Sequence, residues 1–393
     1  MVSPLALGGA AGTGAAFGIT TGDILFDDLS LYARSNRLIG RVGIPWYHLG
    51  GNHDLNYEAP DAARSRETYK RVFGAPTYAF HHGRALFVML DNVAYLGADP
   101  ARPLGAGTYV GCIGERNLAF VANLLKETPR ETLLVVAMHI PLVTDVSPGE
   151  PGRNTADAEA LLDLLVGRPV LSIAGHTHTT EHHYLRAREG THHHHILTAV
   201  SGSWWSGPTG RDGIPAADSR DGTPNGFHVL SVDGTAYTTR YRPAQGVADE
   251  TMRILFESQL RGGAPEVFRE QRPLRTLRSP IPLDAVSATD VVVNVFDGGP
   301  RTRVTLRVGE GAGVPMTRRR RLDPFVSEVF SRYGDQRKPW VKAEPSSHIW
   351  QARLPAGLGP GVHRVTVEGR DEYGRPIRGE TVLEVSGEDG RRG

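Results

Sequence analysis

Residues 169–178 read PVLSIAGHTH, an apolar run of strand type that ends in two histidines one residue apart. Three other segments share this design: AAFGITTGD at 15–23, IPWYHLGGNHD at 44–54 and TLLVVAMH at 132–139. Polar side chains at the carboxyl ends of several strands meet at one edge of a sheet, where α/β folds carry their sites. The sequence therefore predicts an α/β domain with a polar site at that edge.

The residues that follow these strands are of the kinds that hold metal ions. They are Asp23, Asn52, His139, His176 and His178. A set rich in imidazole suits a borderline divalent metal better than calcium or magnesium, and Mn, Fe and Zn all fit it. The identity of the metal stays open at this point.

The order Gly-Asp, Gly-Asn-His-Asp, Met-His and Gly-His-Thr-His resembles the calcineurin-like metallophosphoesterases, in particular a bacterial subgroup with a C-terminal β domain. The resemblance implies an α/β fold in which two mixed sheets form a sandwich flanked by helices. A small all-β domain of immunoglobulin-like type follows it. The activity it implies is hydrolysis of a phosphomonoester or phosphodiester by a metal-bound hydroxide.

The resemblance also implies a centre of two metals. In the family the aspartate at the position of Asp23 bridges both metals, and Asn52, His139 and His176 complete the second site. His178 and an opening Asp-containing motif hold the first metal. Residues 1–22 contain no Asp, Glu, His, Asn or Gln. We therefore expect the opening motif to be missing and only the second site to be complete.

Two residues of the Gly-Asn-His-Asp motif have catalytic roles by the same resemblance. His53 would assist the leaving oxygen by donating a proton or stabilising its charge. Asp54 would orient His53 through the other ring nitrogen.

A loop rich in Gly, Ser and Pro carries the candidate substrate-binding residues Trp204 and Trp205, because exposed aromatic rings near a site often stack on a base or sugar. Asp221, Asn225 and Arg211 are further candidates in the same region. The run His192–His195 is expected to be a polar strand edge rather than a second metal site.

The domain organisation follows from the change of pattern along the chain. Residues 1–245 alternate between strand and helix patterns, 246–280 form a polar connector, and 281–388 are strand-like with regular turns, as in a β-sandwich. A net charge of +1 gives no field that favours nucleic acid. No apolar stretch approaches the length of a membrane span, and the single cysteine excludes an internal disulfide.

The expected partner is a phosphate-ester small molecule or a glycan- or nucleotide-like substrate. The chain as given has no signal peptide, so it would be cytoplasmic, or exported if an upstream signal has been lost; localisation and oligomeric state stay open. An alternative to the enzyme is a truncated or inactive phosphoesterase-fold protein that serves as a ligand-binding or scaffold module.

Overall fold

The structure, a computed structural model, describes residues 9–98, 107–209, 213, 215–244, 250–258 and 280–387. The chain divides into two compact units, the first built from Met1–Trp205 and Pro224–Ala248 and the second from Ser206–Thr223 and Asp249–Gly393. The predicted boundaries at 245 and 280 stay predictions. Most of the predicted connector lies outside the described residues, and its described part contains a strand of the second unit.

The first unit mixes strands and helices. Its strands are β1 (Gly18–Thr21), β2 (Trp46–Leu49), β3 (Tyr78–His82), β4 (Ala85–Met89), β5 (Val93–Ala98), β6 (Gly107–Gly111), β7 (Leu134–Ala137), β8 (Val170–Ala174), β9 (Glu181–Arg186), β10 (Thr191–Ile196), β11 (Gly226–Asp233) and β12 (Ala236–Pro243). Its helices are α1 (Tyr32–Ile39), α2 (Glu67–Phe73), α3 (Gly114–Glu127) and α4 (Ala158–Leu164). Short 3₁₀ turns cover Leu29–Leu31, Gly40–Val42 and Asn52–Asp54.

The main sheet of this unit has the strand order β3-β4-β7-β8-β10-β9. The neighbours β4, β7, β8 and β10 run parallel, whereas β3 and β9 pair antiparallel at the two edges. A parallel pair, β1 and β2, and the hairpin β11–β12 form separate smaller sheets, as does the hairpin β5–β6.

The main sheet is buried on both faces, and β7 shows how. Leu134 and Val136 belong to an apolar cluster that includes side chains of α3 and α4. Val135 and Ala137, which point to the opposite face, belong to a cluster with Leu49 of β2 and partly buried residues of β1, β11 and β12. Strands buried on both faces appear in a sequence as continuous apolar runs, which is the pattern of TLLVVAM. The predicted layers of sheet and helix are present.

The second unit is a β-sandwich. Its strands are β13 (Met252–Ser258), β14 (Ile281–Pro282), β15 (Thr289–Val295), β16 (Arg303–Val308), β17 (Val314–Pro315), β18 (Thr317–Leu322), β19 (Pro345–Arg353), β20 (Gly361–Arg370) and β21 (Pro376–Ser386). Two sheets, β13-β15-β19-β18 and β14-β21-β20-β16-β17, share one apolar core around Trp350. The unit also contains one helix, α5 (Pro324–Arg332), and Asp323 caps it by accepting from two backbone N–H groups. Short 3₁₀ segments cover Leu283–Ala288 and Gly334–Gln336.

Among the helices that the structure describes, none is long and apolar enough to span a bilayer.

Candidate metal centre

The predicted ligands follow strands whose ends share one edge. Asp23 comes after β1, Asn52 after β2, His139 after β7 and His176 after β8. Both strand pairs, β1–β2 and β7–β8, are parallel, so each pair delivers its two polar residues to the same end.

Three side-chain atoms of other residues lie around Nε2 of His139. Its Nε2 lies 3.0 Å from Asn52 Oδ1, 3.2 Å from Asp23 Oδ1 and 3.1 Å from His176 Nδ1. Asp23, His139 and His176 form a group whose ligand atoms all lie within 4.8 Å of one another. The structure therefore brings together the four residues predicted for the second site.

One ring nitrogen of His139 and one of His176 hydrogen-bond to backbone carbonyls, and these bonds determine whether the other nitrogen of each ring can bind a metal. His139 Nδ1 lies 2.8 Å from the carbonyl oxygen of Thr21, and His176 Nε2 lies 2.8 Å from that of Gly152. A carbonyl oxygen only accepts, so each of these nitrogens carries the hydrogen and donates it. In the neutral rings, the facing atoms His139 Nε2 and His176 Nδ1 are left with lone pairs, the arrangement that metal-bound histidines use. Two imidazole nitrogens, a carboxylate oxygen and an amide oxygen that all offer lone pairs fit a divalent cation.

Two glycines let the strand ends approach this closely. A Cβ on Gly22, whose φ is +96°, would lie 2.3 Å from His139 Nδ1. A Cβ on Gly51 would lie 2.1 Å from Asp23 Oδ1. The ligands themselves adopt left-handed backbone, with φ of 52° at Asp23 and 72° at His176. Backbone of this kind is concentrated at functional sites, where surrounding contacts hold it.

The structure corrects the expected partner of His53. Its Nδ1 lies 2.7 Å from Asp27 Oδ1, a residue that the sequence analysis did not select. Asp54 instead accepts from the backbone N–H groups of Gly51 at 2.8 Å and Ile24 at 3.2 Å, and from the hydroxyl of Tyr32 at 2.9 Å. The Asp54 carboxylate thus ties the loops after β1 and β2 together, and both of its oxygens are engaged in doing so.

Burial and neighbouring groups both shift the pKa values of the acids and bases here. Burial raises the pKa of Asp23, but the interactions with His139 and His53 outweigh that effect and hold the pKa well below its usual range. Burial lowers the pKa of His53, yet Asp23 and the hydrogen bond with Asp27 raise it to about 9. Burial, together with the neighbouring His139, lowers the pKa of His176 well below its usual range.

Two supporting side chains were missed by the sequence analysis because neither belongs to a ligand motif. Asn92 Oδ1 accepts from the backbone N–H groups of His139 and Ile140, each at 3.1 Å. Arg66 donates to Gly51 O at 2.7 Å and makes a two-pronged pair with Asp91 at 2.6 and 3.1 Å. Their signal in the sequence is weak, since an Asn after one strand and an Arg before a helix are common.

The contacts of His178 are with residues outside the group of Asp23, His139 and His176. Its Nδ1 contacts Gly202 O, and its ring stacks on Trp204 with centroids 3.8 Å apart. Trp204 and Trp205 have φ of 54° and 57°, and both side chains are partly buried. The stacking places Trp204 against a candidate first-metal ligand, while the substrate-binding role of both tryptophans stays a prediction.

The other candidates occupy different surroundings. Asp221 is 1 % exposed and lies 3.0 Å from His348 in the second unit. The expectation that Asp221 reaches the substrate is therefore wrong for this structure. Asn225 is buried and donates to Val200 O, and Arg211 lies outside the described residues. His192–His195 are buried on β10 rather than forming a polar edge, and the edge strand of the sheet is β9.

Comparison with known proteins identifies the family of this chain. Residues 11–180 match the family model "Calcineurin-like phosphoesterase", and residues 194–376 match "C terminal of Calcineurin-like phosphoesterase". The protein belongs to the calcineurin-like phosphoesterases that carry this C-terminal domain. The family implies divalent metal ions and hydrolysis of a phosphoester.

Among solved structures, the purple acid phosphatase PPD1 isolated from yellow lupin (Lupinus luteus) seeds is similar, with a TM-score of 0.41 and 12 % identity over 62 % of this chain and 47 % of that one. The chain thus spans about half the length of that phosphatase. A comparison with curated proteins found no match.

Proposed function

We propose that this protein hydrolyses a phosphomonoester or phosphodiester, using divalent metal held by Asp23, Asn52, His139 and His176. The observation that carries the proposal is the convergence of three side-chain atoms with lone pairs on His139 Nε2, at 3.0–3.2 Å. Divalent ions, when bound, neutralise phosphoryl oxygens and lower the pKa of coordinated water, which is the chemistry that ester hydrolysis requires.

His53 is the proposed proton donor to the leaving oxygen. Asp27 engages its Nδ1, so Nε2 is the nitrogen that faces the leaving group in this proposal. Its raised pKa, about 9 through Asp23 and Asp27 against the effect of burial, keeps a proton available on the ring near neutral pH. Asp27 would fix the orientation of the ring in this role.

The experiment combines metal analysis with hydrolysis. The protein is loaded with Mn, Fe or Zn and assayed with p-nitrophenyl phosphate and bis(p-nitrophenyl) phosphate. We expect His139→Ala and His176→Ala to lose both bound metal and hydrolysis, and the exposed control His81→Ala to keep both. A fully loaded protein that hydrolyses neither ester would contradict the proposal.

One observation favours a second candidate, a phosphate-binding module without turnover. His178 is absent from the ligand group of Asp23, His139 and His176. A single bound cation leaves part of the phosphoryl charge without compensation, which costs about tenfold in rate per 1.36 kcal/mol. Tight binding of a phosphonate by the metal-loaded protein, with no turnover of either ester, would support this candidate over the enzyme.

A further inference from the structure

Phe26 is an exposed aromatic residue beside the proposed proton donor. Its ring lies over that of His53, with centroids 4.6 Å apart and an angle of 31° between the planes. The residue is 43 % exposed. Of the large apolar side chains exposed in the described part of the first unit, it alone is aromatic.

The loop that carries Phe26 holds it in this position. Its neighbours Ile24 and Leu25 are buried, 6 % and 8 % exposed, so the apolar residues of the loop divide into two that point inward and one that points outward. The loop is fixed on both sides: Ile24 N donates to Asp54, and Asp27 pairs with His53. Asp28 N donates to Phe26 O at 2.9 Å. The exposure of Phe26 therefore comes from a restrained backbone.

We infer that Phe26 is a specificity-determining residue that stacks on an aromatic ring bonded directly to the leaving oxygen of the substrate, so that the preferred substrate is an aryl phosphate ester. The inference rests on the proposed function. If His53 gives its proton to the leaving oxygen, the group on that oxygen lies beside the His53 ring. The apolar, flat ring of Phe26 lies next to this position. Such a ring suits a flat aromatic group better than a hydrated alcohol or sugar.

A competing role for Phe26 is to shield the pair of His53 and Asp27 from water. The two roles predict different results. Shielding acts on the protein alone, so its loss weakens every substrate equally. Stacking acts on the leaving group, so its loss weakens aryl ligands and leaves alkyl ligands unchanged.

The test measures binding of two phosphonates to the metal-loaded protein by calorimetry. Benzylphosphonate replaces the ester oxygen of phenyl phosphate by a methylene, and propylphosphonate is its alkyl counterpart. Neither is hydrolysed, so the intrinsic reactivity of aryl leaving groups does not enter. We expect Phe26→Leu to weaken benzylphosphonate about 3- to 10-fold and propylphosphonate less than twofold, as for the loss of one aromatic pair. Phe26→Tyr keeps the ring and should bind benzylphosphonate as the unaltered protein does.

Val72→Ala, an exposed apolar truncation on α2, is the control and should change neither affinity. Equal weakening of both phosphonates by Phe26→Leu, or no weakening of either, would overturn the inference while the hydrolysis of p-nitrophenyl phosphate still supports the proposed function. Absence of phosphonate binding together with absence of hydrolysis would overturn both.

Discussion

The ring of His53 is held by Asp27, four residues after the ligand Asp23, and not by Asp54, its neighbour in sequence. The Nδ1 to Oδ1 distance is 2.7 Å, and the side chains are 18 % and 28 % exposed. Asp27 itself has a φ of 64°. The restrained loop after β1 thus supplies both a proposed metal ligand and the residue that holds the ring of the proposed proton donor.

Asp27→Asn should lower kcat about 10- to 100-fold, the usual effect of removing a group that orients a functional side chain. The amide is neutral, so it can no longer favour the protonated ring of His53. Asp27 is not a member of the ligand group, and we therefore expect the content of bound metal to stay unchanged. Metal analysis and steady-state kinetics measure the two effects separately.

Asp28→Asn is the matched control. Asp28 is exposed, and its carboxylate accepts from the backbone N–H of Ser30 rather than from His53. It should keep its full kcat. A kcat for Asp27→Asn within twofold of the unaltered protein would contradict the assigned role of Asp27.

Gly22→Ala should remove metal binding. Its new methyl group would lie 2.3 Å from His139 Nδ1, the atom that donates to Thr21 O and fixes the orientation of the ring. The matched control is Gly43→Ala, since Gly43 has a φ of +80° and nothing within 4 Å of its Cβ position. The control carries only the cost of left-handed backbone, about 1–2 kcal/mol.

Metal content after dialysis, together with urea unfolding, separates the two variants. Both should lose stability, and only Gly22→Ala should lose metal. Equal metal content in the two variants would show that the close approach of Gly22 to His139 is not needed for the site.

The sequence was informative about where the proposed metal ligands meet, for a physical reason. His139 and His176 follow the buried strands β7 and β8, and buried strands of a parallel sheet are easily recognised as apolar runs. Asp23 and Asn52 follow the partly buried strands β1 and β2. Strand ends then determine where the side chains meet. The layers of the first unit could be predicted on the same grounds.

The sequence was less informative where loop geometry or strand pairing decides the contact. Asp54 lies beside His53, but the 3₁₀ turn Asn52–Asp54 directs its carboxylate back to Gly51 N. Asp27 reaches His53 because its own backbone is left-handed, which residue type does not reveal. His192–His195 do not lie on an edge strand, because β9 forms the edge of the sheet in place of β10.

Buried histidines should make the first unit sensitive to acid. Leu142 N donates to His194 Nε2 at 3.1 Å, and Ser172 Oγ lies 2.7 Å from both His194 Nδ1 and His192 Nε2. His194 Nε2 accepts, so its Nδ1 donates to the serine, whose hydroxyl then donates to His192. Burial lowers the pKa of His192 to about 4 from its ordinary value of 6.5.

Between these two pH values the unfolded chain binds more protons than the folded one, so stability falls as pH falls. For His192 alone, the loss between pH 7 and pH 4 is about 3 kcal/mol. Urea unfolding at several pH values measures it. His192→Gln should flatten the dependence and the exposed control His81→Gln should not; identical profiles for both variants would contradict the prediction.

The second unit contains a buried polar network that should contribute to stability rather than to substrate binding. Asp221 Oδ2 lies 3.0 Å from His348 Nε2, and His348 Nδ1 lies 2.8 Å from Asn294 Oδ1. The three residues are 0–2 % exposed. Replacing the carboxylate by an amide weakens a buried hydrogen bond with the His348 ring, so Asp221→Asn should cost about 1–3 kcal/mol of unfolding free energy.

The matched control is Glu380→Gln, which breaks an exposed pair with Arg378 in the same unit and should have little measurable effect. At a temperature where both variants are folded, KM for p-nitrophenyl phosphate should equal that of the unaltered protein, because the Asp221 carboxylate is directed toward His348 and buried. A raised KM for Asp221→Asn at unchanged stability would assign Asp221 to the substrate after all. Unfolding curves and KM together therefore decide between a structural and a binding role for this carboxylate.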